Sequence, residues 1–429
     1  MKERTFDLSK IKEEINRRGG DGDAVAEAYH DYYNFHEIRI CEWLARLFDP
    51  DIGGFYYSNS GRDNDILVRW DGVTCKGLPD IESTYQALSF MKQTGMIRDY
   101  SEIPLWMREK IRDFVCSLED PEDGFFYHPQ WGRQIANARR GRDLDWGVAI
   151  PSMLGFELPY PTAYDRIKAA KAEKSDSAPG SAALPEHLES REKFIKYLEG
   201  LDWYATEGVG AYGAGNTLAA EIKTIIAAGL SDVACDFLDS IQNKETGIWG
   251  VQGGYAGVNA ILKVANVYAW AKRPIPNPEI VARTSMEAIT TPEDNRTVCY
   301  QFNAWWSVDI VRRNTLKLLG ADGEAVVRRI DAEMLPRAAS GIRATIEKIT
   351  PFKCDDGSYS YFKHCTCPTS QSALVAMEVK EGDINATTIN CQGVLLRSID
   401  ALGLTGLQPE IFGPAGYDVF LSALKTPTK

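Results

Sequence analysis

The sequence has little of what membrane-spanning, secreted or nucleic-acid-binding proteins need. No run of about 18 apolar residues occurs, so no membrane-spanning helix is expected. Residues 1–20 are charged throughout and contain no apolar core of a signal peptide. The formal net charge is −12, so the basic surface that nucleic acids or anionic membranes require is missing. We therefore expect a cytoplasmic protein that binds neither nucleic acids nor membranes.

Cysteine and histidine are also scarce. The nine cysteines are odd in number and scattered, which favours reduced thiols, and only five histidines occur. The segment KCDDGSYSYFKHCTC offers Cys354, Asp356, His364 and Cys367 as weak zinc candidates. It has no repeated C-x-x-C spacing, so we expect no cofactor, with zinc as the alternative.

The sequence does contain a repeat. In four segments an apolar helix-like pattern is followed by acidic or turn residues, then a glycine, then aromatic residues. These segments are 41–58, 112–129, 235–251 and 348–362. Because glycine tolerates positive φ, Gly54, Gly124, Gly247 and Gly357 are predicted to end a helix and turn the chain at equivalent positions.

A second, more apolar helical pattern follows each turn. Strand patterns are sparse, and about six pairs of one charged and one apolar helix can be counted. Charged helices outside and apolar helices inside predict an all-α fold, an (α/α)6 barrel or toroid of six hairpins. We expect one domain over residues 1–429, with a capping segment at 1–24 and a flexible insertion at 169–190.

The turn DIGGF at 51–55, with a helix beginning S-T-Y at 83–85, resembles the α/α-toroid superfamily. That group includes six-hairpin glycosidases, toroidal polysaccharide lyases, and the toroids of terpenoid cyclases and protein prenyltransferases. The resemblance implies a pocket at the mouth of the ring, where the inner helices begin.

Four carboxylates lie where inner helices are predicted to begin, namely Asp80, Glu82, Asp143 and Asp145. A glycosidase needs two carboxyl groups, one to donate a proton and one to activate water or attack. The resemblance to six-hairpin enzymes that act on unsaturated uronides implies Asp80 and Asp145 as this pair. The alternative is helix capping, in which an aspartate accepts bonds from free backbone N–H groups.

Aromatic and cationic residues near these helix starts are candidates for substrate binding. Sugar rings stack on aromatic faces, and arginine binds a uronate carboxylate; hairpin packing and a solvated loop are the alternatives. The candidates are Tyr57, Tyr127, Trp131, Arg140, Arg142, Trp146, Trp249, Tyr255 and Trp305. Trp305 and Trp306 are adjacent and cannot both point inward, so at least one is structural.

Together with these patterns, the resemblance to six-hairpin enzymes implies a glycoside hydrolase that cleaves a uronic-acid-containing oligosaccharide. A polysaccharide lyase is an alternative that would use Tyr127, His128 or Tyr255. A terpenoid-cyclase- or prenyltransferase-like enzyme and a noncatalytic scaffold are further alternatives. The sugar, its linkage and the oligomeric state stay open.

Overall fold

The computed structural model describes residues 4–68, 72–166 and 185–427. The chain is mostly helical, which confirms the all-α prediction at that level. The strands found in the described part form two short antiparallel pairs: Ile66–Val68 with Thr74–Lys76, and Thr369–Ser370 with Ala373–Leu374.

The chain divides into two compact units, each assembled from three stretches of sequence. The first unit comprises Met1–Phe35, Ser181–Ile349 and Gly393–Pro409, and the second comprises His36–Gly180, Thr350–Gln392 and Glu410–Lys429. That one domain spans the whole chain stays a prediction. Residues 169–184 of the predicted insertion lie outside the described residues.

The first unit is built almost wholly from helices. The longest, Cys299–Met334, changes direction at Gly320 and packs against helices Pro278–Ile289, Gly254–Ala271 and Val394–Ala401. Its other helices are Ser9–Arg17, Gly22–Phe35, Arg191–Glu199, Gly210–Ala227, Ser231–Ile241 and Ala338–Ile349. Ser9–Arg17 falls within the segment that was predicted to cap the fold.

The second unit contains shorter helices and both strand pairs. Helix Ile81–Gln93 packs between Asn137–Leu154 and Ile384–Thr388, so the first, second and last hairpins of the sequence are neighbours in this unit. The other α-helices among its described residues are Ile40–Arg46, Asn59–Asp63, Leu105–Leu118 and Gly413–Ala423.

The four repeated turns are confirmed as one structural motif, with two corrections. In each turn a β-bridge joins a residue shortly after the helix to an aromatic residue: Phe48–Phe55, Glu119–Phe126, Gln242–Trp249 and Lys353–Tyr359. The helices end before these bridges, so the glycines turn the chain but do not end the helices. The residue two places before that aromatic has positive φ in every copy, and in the first copy it is Gly53, with φ 99°. The assignment of Gly54 was wrong, because the bridge register aligns Gly53 with Gly124, Gly247 and Gly357.

Hydrogen bonds at the start of three of these turns explain why an acidic or amide residue occurs there. Asp49, Asp120 and Asn243 each accept hydrogen bonds from the backbone N–H groups two and three residues later. This local capping specifies a turn without tertiary contacts. We call these four motifs the corners.

Gly53 of the first corner is closely approached by other backbone, unlike Gly155, which caps the end of helix Asn137–Leu154. An alanine Cβ at Gly53 would lie 2.1 Å from the carbonyl oxygen of Lys110, whereas at Gly155, also at positive φ, it would meet nothing within 4 Å. Gly155→Ala should therefore cost only the backbone penalty of about 1–2 kcal/mol. Gly53→Ala should cost at least about 3 kcal/mol, because overpacking is added. Urea unfolding of both variants tests this, and equal losses would contradict it.

Candidate functional site

A buried ionic cluster joins helix Ile81–Gln93 and helix Asn137–Leu154 of the second unit. The guanidinium of Arg139 contacts three carboxylates: Asp80 (Nη2 to Oδ1, 3.0 Å), Glu82 (Nη1 to Oε2, 2.8 Å) and Asp143 (Nε to Oδ1, 2.9 Å). None of the four residues exposes more than 2% of its surface. We call these four residues the acidic cluster.

Asp80 reaches the cluster because the first corner holds the start of its helix. Its backbone N–H donates to the carbonyl of Phe55, and its carboxylate accepts from the N–H and hydroxyl of Ser83. Asp80 is therefore the N-cap of helix Ile81–Gln93, as the capping alternative predicted. The cap also fixes the carboxylate where it meets Arg139.

Opposite Asp80, the residues of the site lie on one face of helix Asn137–Leu154. Arg139, Arg142, Asp143 and Trp146 follow the spacing i, i+3, i+4, i+7, which places them in one stripe. Asp145 lies two residues beyond Asp143, about 200° further round the helix. It is exposed and accepts a hydrogen bond from the hydroxyl of Tyr164. The prediction that Asp143 and Asp145 lie at a helix start was wrong, because the helix begins at Asn137. The structure brings Asp143, and not Asp145, together with Asp80.

Glu82 is the carboxylate of the cluster that faces polar residues nearer the surface. Its Oε2 is bound by Arg139 and by the hydroxyl of Ser370. Its Oε1 lies 3.3 Å from Nε2 of Gln86 and 3.9 Å from Nη1 of Arg142, whose side chain is 48% exposed. Nε2 of Gln86 also lies 3.3 Å from Oδ1 of Asn385.

Aromatic rings complete this more exposed edge. Tyr85 and Trp146 stack with ring centroids 6.1 Å apart, and the guanidinium of Arg142 lies 5.7 Å from the Trp146 centroid. In the part of the chain that the structure describes, Oε1 of Gln86 is buried without a hydrogen-bond partner. We call Tyr85, Gln86, Arg142, Trp146 and Asn385 the rim.

Burial changes the proton affinity of the cluster. It raises the pKa of Asp143 to about 7 and raises the pKa of Glu82, against the attraction of Arg139. Burial alone would lower the pKa of Arg139, but the three carboxylates raise it. Three carboxylates around one buried guanidinium leave an excess of negative charge, and a proton held at Asp143 near neutral pH reduces it.

His128 and Trp131, from the second corner, form a wall of the cluster. The His128 ring is buried, with Nε2 bonded to the Pro79 carbonyl (2.6 Å) and Nδ1 accepting the N–H of Gln130 (3.2 Å). Burial lowers the pKa of His128 to about 4, so its ring is neutral near pH 7. Trp131 stacks on His128, with the Arg139 guanidinium 4.7 Å from its centroid.

Tyr127 belongs to the corner and not to the cluster. Its hydroxyl donates to Oδ2 of Asp123 (2.7 Å), and Arg133 packs over its ring. Tyr56, at the equivalent position of the first corner, also donates to an aspartate of its own corner, although to Asp49, which aligns with Asp120 and not with Asp123. Both tyrosines thus have a role within their corners, and substrate contact by Tyr127 stays a prediction.

Sequence reasoning missed Asp383, which repeats the position of Asp80. Asp383 is a buried N-cap of helix Ile384–Thr388; it binds Thr366 and Tyr57, and burial raises its pKa to about 7. The matching signal is DIEST at 80–84 and DINAT at 383–387. In both, the final threonine hydroxyl accepts a corner N–H, from Phe55 and from Tyr359. Tyr57, a predicted substrate contact, is thus fully buried beside Asp383.

The other aromatic candidates are packed inside the first unit. Trp249 and Trp305 are fully buried, with indole N–H groups bonded to the Leu238 carbonyl and the Thr345 hydroxyl. Tyr255 is also fully buried and accepts a bond from Gln301. Each thus has a packing role, and substrate contact by any of them stays a prediction.

The remaining cationic and metal candidates are dispersed. Arg140 packs over Phe125, away from the face that carries Arg139. Asp356 accepts from Ser358, the Cys367 thiol contacts the Thr369 carbonyl, and His364 is exposed. Within residues 4–68, 72–166 and 185–427, no three His, Cys, Asp or Glu side chains are grouped to hold a metal ion. Zinc at Cys354, Asp356, His364 and Cys367 stays an untested alternative.

No protein-family model, curated protein or solved structure matches this chain. Among the helices of the described residues, none combines the length and the apolar character that a membrane crossing requires.

Arg139 should stabilise the second unit far more than a surface arginine does. Arg139→Met leaves three buried carboxylates without their common cation, so it should lower the free energy of unfolding by about 3–5 kcal/mol. Arg133 also faces three acids but is half exposed, so Arg133→Met should cost about 0–1 kcal/mol. Similar losses in urea unfolding would refute the difference.

Asp143 should make stability pH dependent. Its pKa rises from 3.8 to about 7 on folding, so the native state binds the proton more tightly and stability is lost as pH rises through this window. Asp143→Asn removes this contribution. The free energy of unfolding of the variant, relative to wild type, should therefore increase between pH 4 and pH 7. The control Asp113→Asn, at an exposed carboxylate, should show no such trend.

Proposed function

We propose that the protein is a carbohydrate-active enzyme that cleaves a glycosidic bond of an acidic oligosaccharide at the acidic cluster and rim. The observation that carries this proposal is the joining of Asp80, Glu82 and Asp143 by Arg139, directly beneath partly exposed aromatic, amide and arginine side chains.

The chemistry of the rim supports an acidic sugar as substrate. Tyr85 and Trp146 offer ring faces for stacking, and the amides of Gln86 and Asn385 suit hydroxyl groups. Arg142 supplies a cation that suits a uronate carboxylate. These side chains provide the mixed aromatic and polar surface that such a ligand requires.

The carboxylates support acid/base chemistry with roles that differ from those expected from sequence. Glu82 is the group we assign to the substrate, because its Oε1 faces Gln86 and Arg142 at the rim. Burial raises the pKa of Asp143 to about 7, and repulsion by Glu82 helps to raise it, so the protonation of Asp143 is coupled to the charge of Glu82. Asp80 and Arg139 act as positioning residues.

A lyase that uses His128 receives less support, since both ring nitrogens are occupied by backbone groups. We also propose that the helical hairpins form an (α/α)6 toroid. The observation that supports this is that helices of the first and last hairpins are neighbours in the second unit.

Glu82→Gln should reduce the proposed activity about 100-fold or more, because a neutral amide cannot donate a proton to the substrate or accept one from it. Purified protein is assayed for reducing ends released from a panel of uronic-acid and neutral oligosaccharides. Ultraviolet absorbance of the products reports an unsaturated sugar and would indicate a lyase instead.

Two further variants complete this experiment. Glu122→Gln, at an exposed corner residue, is the control and should retain activity. If Asp145→Asn loses activity while Glu82→Gln retains it, the assignment made from sequence is right and the one proposed above fails. Thermal denaturation of each variant separates lost chemistry from lost folding.

A further inference from the structure

A cleft of about 520 Å³ lies in the first unit and has no part in the acidic cluster. It is lined by the end of helix Ser9–Arg17, by helix Cys299–Met334 and by the loop at Gly403. Clefts of this volume accommodate metabolite-sized ligands.

The inner wall of the cleft carries more positive than negative charge. Arg18 and Arg312 both pair with one carboxylate, that of Asp331: Nε of Arg18 lies 3.1 Å from Oδ2, and Nη2 of Arg312 lies 3.4 Å from the same atom. All three side chains are about nine-tenths buried. Two guanidiniums that share one carboxylate leave one positive charge unbalanced.

The hydrogen bonds and ion pairs of the outer charges are with one another, although Glu14 also attracts Arg18 and Arg312 at longer range. Arg17 is bound to Glu14, and Arg328 lies 3.8 Å from Glu324. The lining thus contains four arginines and three carboxylates, although the whole protein carries a net charge of −12. The cleft is a local cationic site in an acidic protein.

The backbone is shaped to hold this pair of arginines. Arg18 donates to the carbonyl of Leu402. The next residue, Gly403, has φ 67°, and a Cβ there would lie 2.1 Å from Nη1 of Arg312. Glycine thus leaves the space that this guanidinium fills.

Arg312 retains hydrogen-bonding capacity. Over the described part of the chain its buried Nε has no hydrogen-bond partner. A buried guanidinium with an unused donor, next to a second guanidinium, is suited to receive an oxyanion. The same cleft is lined by Leu316, which is 40% exposed, and by Val327, so part of its wall is apolar.

We propose that this cleft binds a small organic anion. Arg18 and Arg312 receive its carboxylate or phosphate group, and Leu316 and Val327 contact its apolar portion. The proposal does not depend on the reaction assigned to the acidic cluster.

Isothermal titration calorimetry of the full chain with hexanoate, hexyl phosphate, inorganic phosphate and hexanol tests this inference. We expect saturable binding of hexanoate or hexyl phosphate, weaker binding of inorganic phosphate and none of hexanol. The two hexyl anions distinguish a carboxylate from a phosphate ligand. Absence of saturable binding by every anionic probe would overturn the proposal.

Two variants with opposite expected effects separate binding from a structural role. Arg312→Gln should weaken binding roughly tenfold or more, because a charge-assisted bond is lost. Asp331→Asn should tighten binding severalfold, since it frees both arginines from their shared carboxylate. A purely structural ion pair would destabilise the fold in both variants and leave the affinity unchanged or reduced in each, which would overturn the proposal.

Surface variants keep the test decisive if a buried variant does not fold. Arg328→Gln, on a side chain that is 70% exposed, should weaken binding modestly and increasingly so at low ionic strength. Arg283→Gln removes an arginine from an exposed pair with Glu333 and should leave the affinity unchanged. Equal affinities in these two variants and the wild type would count against the cleft.

Discussion

The second unit depends on the burial of one guanidinium among three carboxylates. Arg139 joins the start of helix Ile81–Gln93 to helix Asn137–Leu154, across 57 and 59 residues of sequence. A buried charge is tolerated only when it is paired and hydrogen-bonded, so the positions of Asp80, Glu82 and Asp143 are mutually constrained. The same burial makes the cluster chemically distinctive, because it raises the pKa values of Glu82 and Asp143.

The corners provide the precision that this arrangement requires. Each corner follows the end of a helix, turns the chain at a glycine with positive φ and presents an aromatic residue two positions later. In the first corner that residue, Phe55, binds the backbone of Asp80, and in the fourth Tyr359 binds that of Asp383. A feature of local chain geometry thus positions two buried carboxylates at helix starts, and only one of them meets an arginine.

The buried charged clusters of the two units differ in sign: negative charge is in excess in the second unit and positive charge in the first. The acidic cluster gathers three carboxylates around Arg139, while the cleft of the first unit gathers Arg18 and Arg312 around Asp331. The first arrangement favours proton uptake and the second favours an anion. Neither property follows from the net charge of the chain, since both depend on a few desolvated side chains.

The sequence by itself determined the helices and the corners, because apolar spacing, side-chain caps and glycine conformations act within a few residues. It also pointed to Asp80 and Asp143. Asp80 does lie at a helix start, but Asp143 lies inside helix Asn137–Leu154, and preferring Asp143 to Asp145 required knowing which face of that helix is buried. Only the tertiary structure decided the partners: Arg139 meets Asp80 across 59 residues, and Arg18 meets Asp331 across 313. Charge pairing is long-range in sequence and depends on burial, so residue type and local spacing do not specify it.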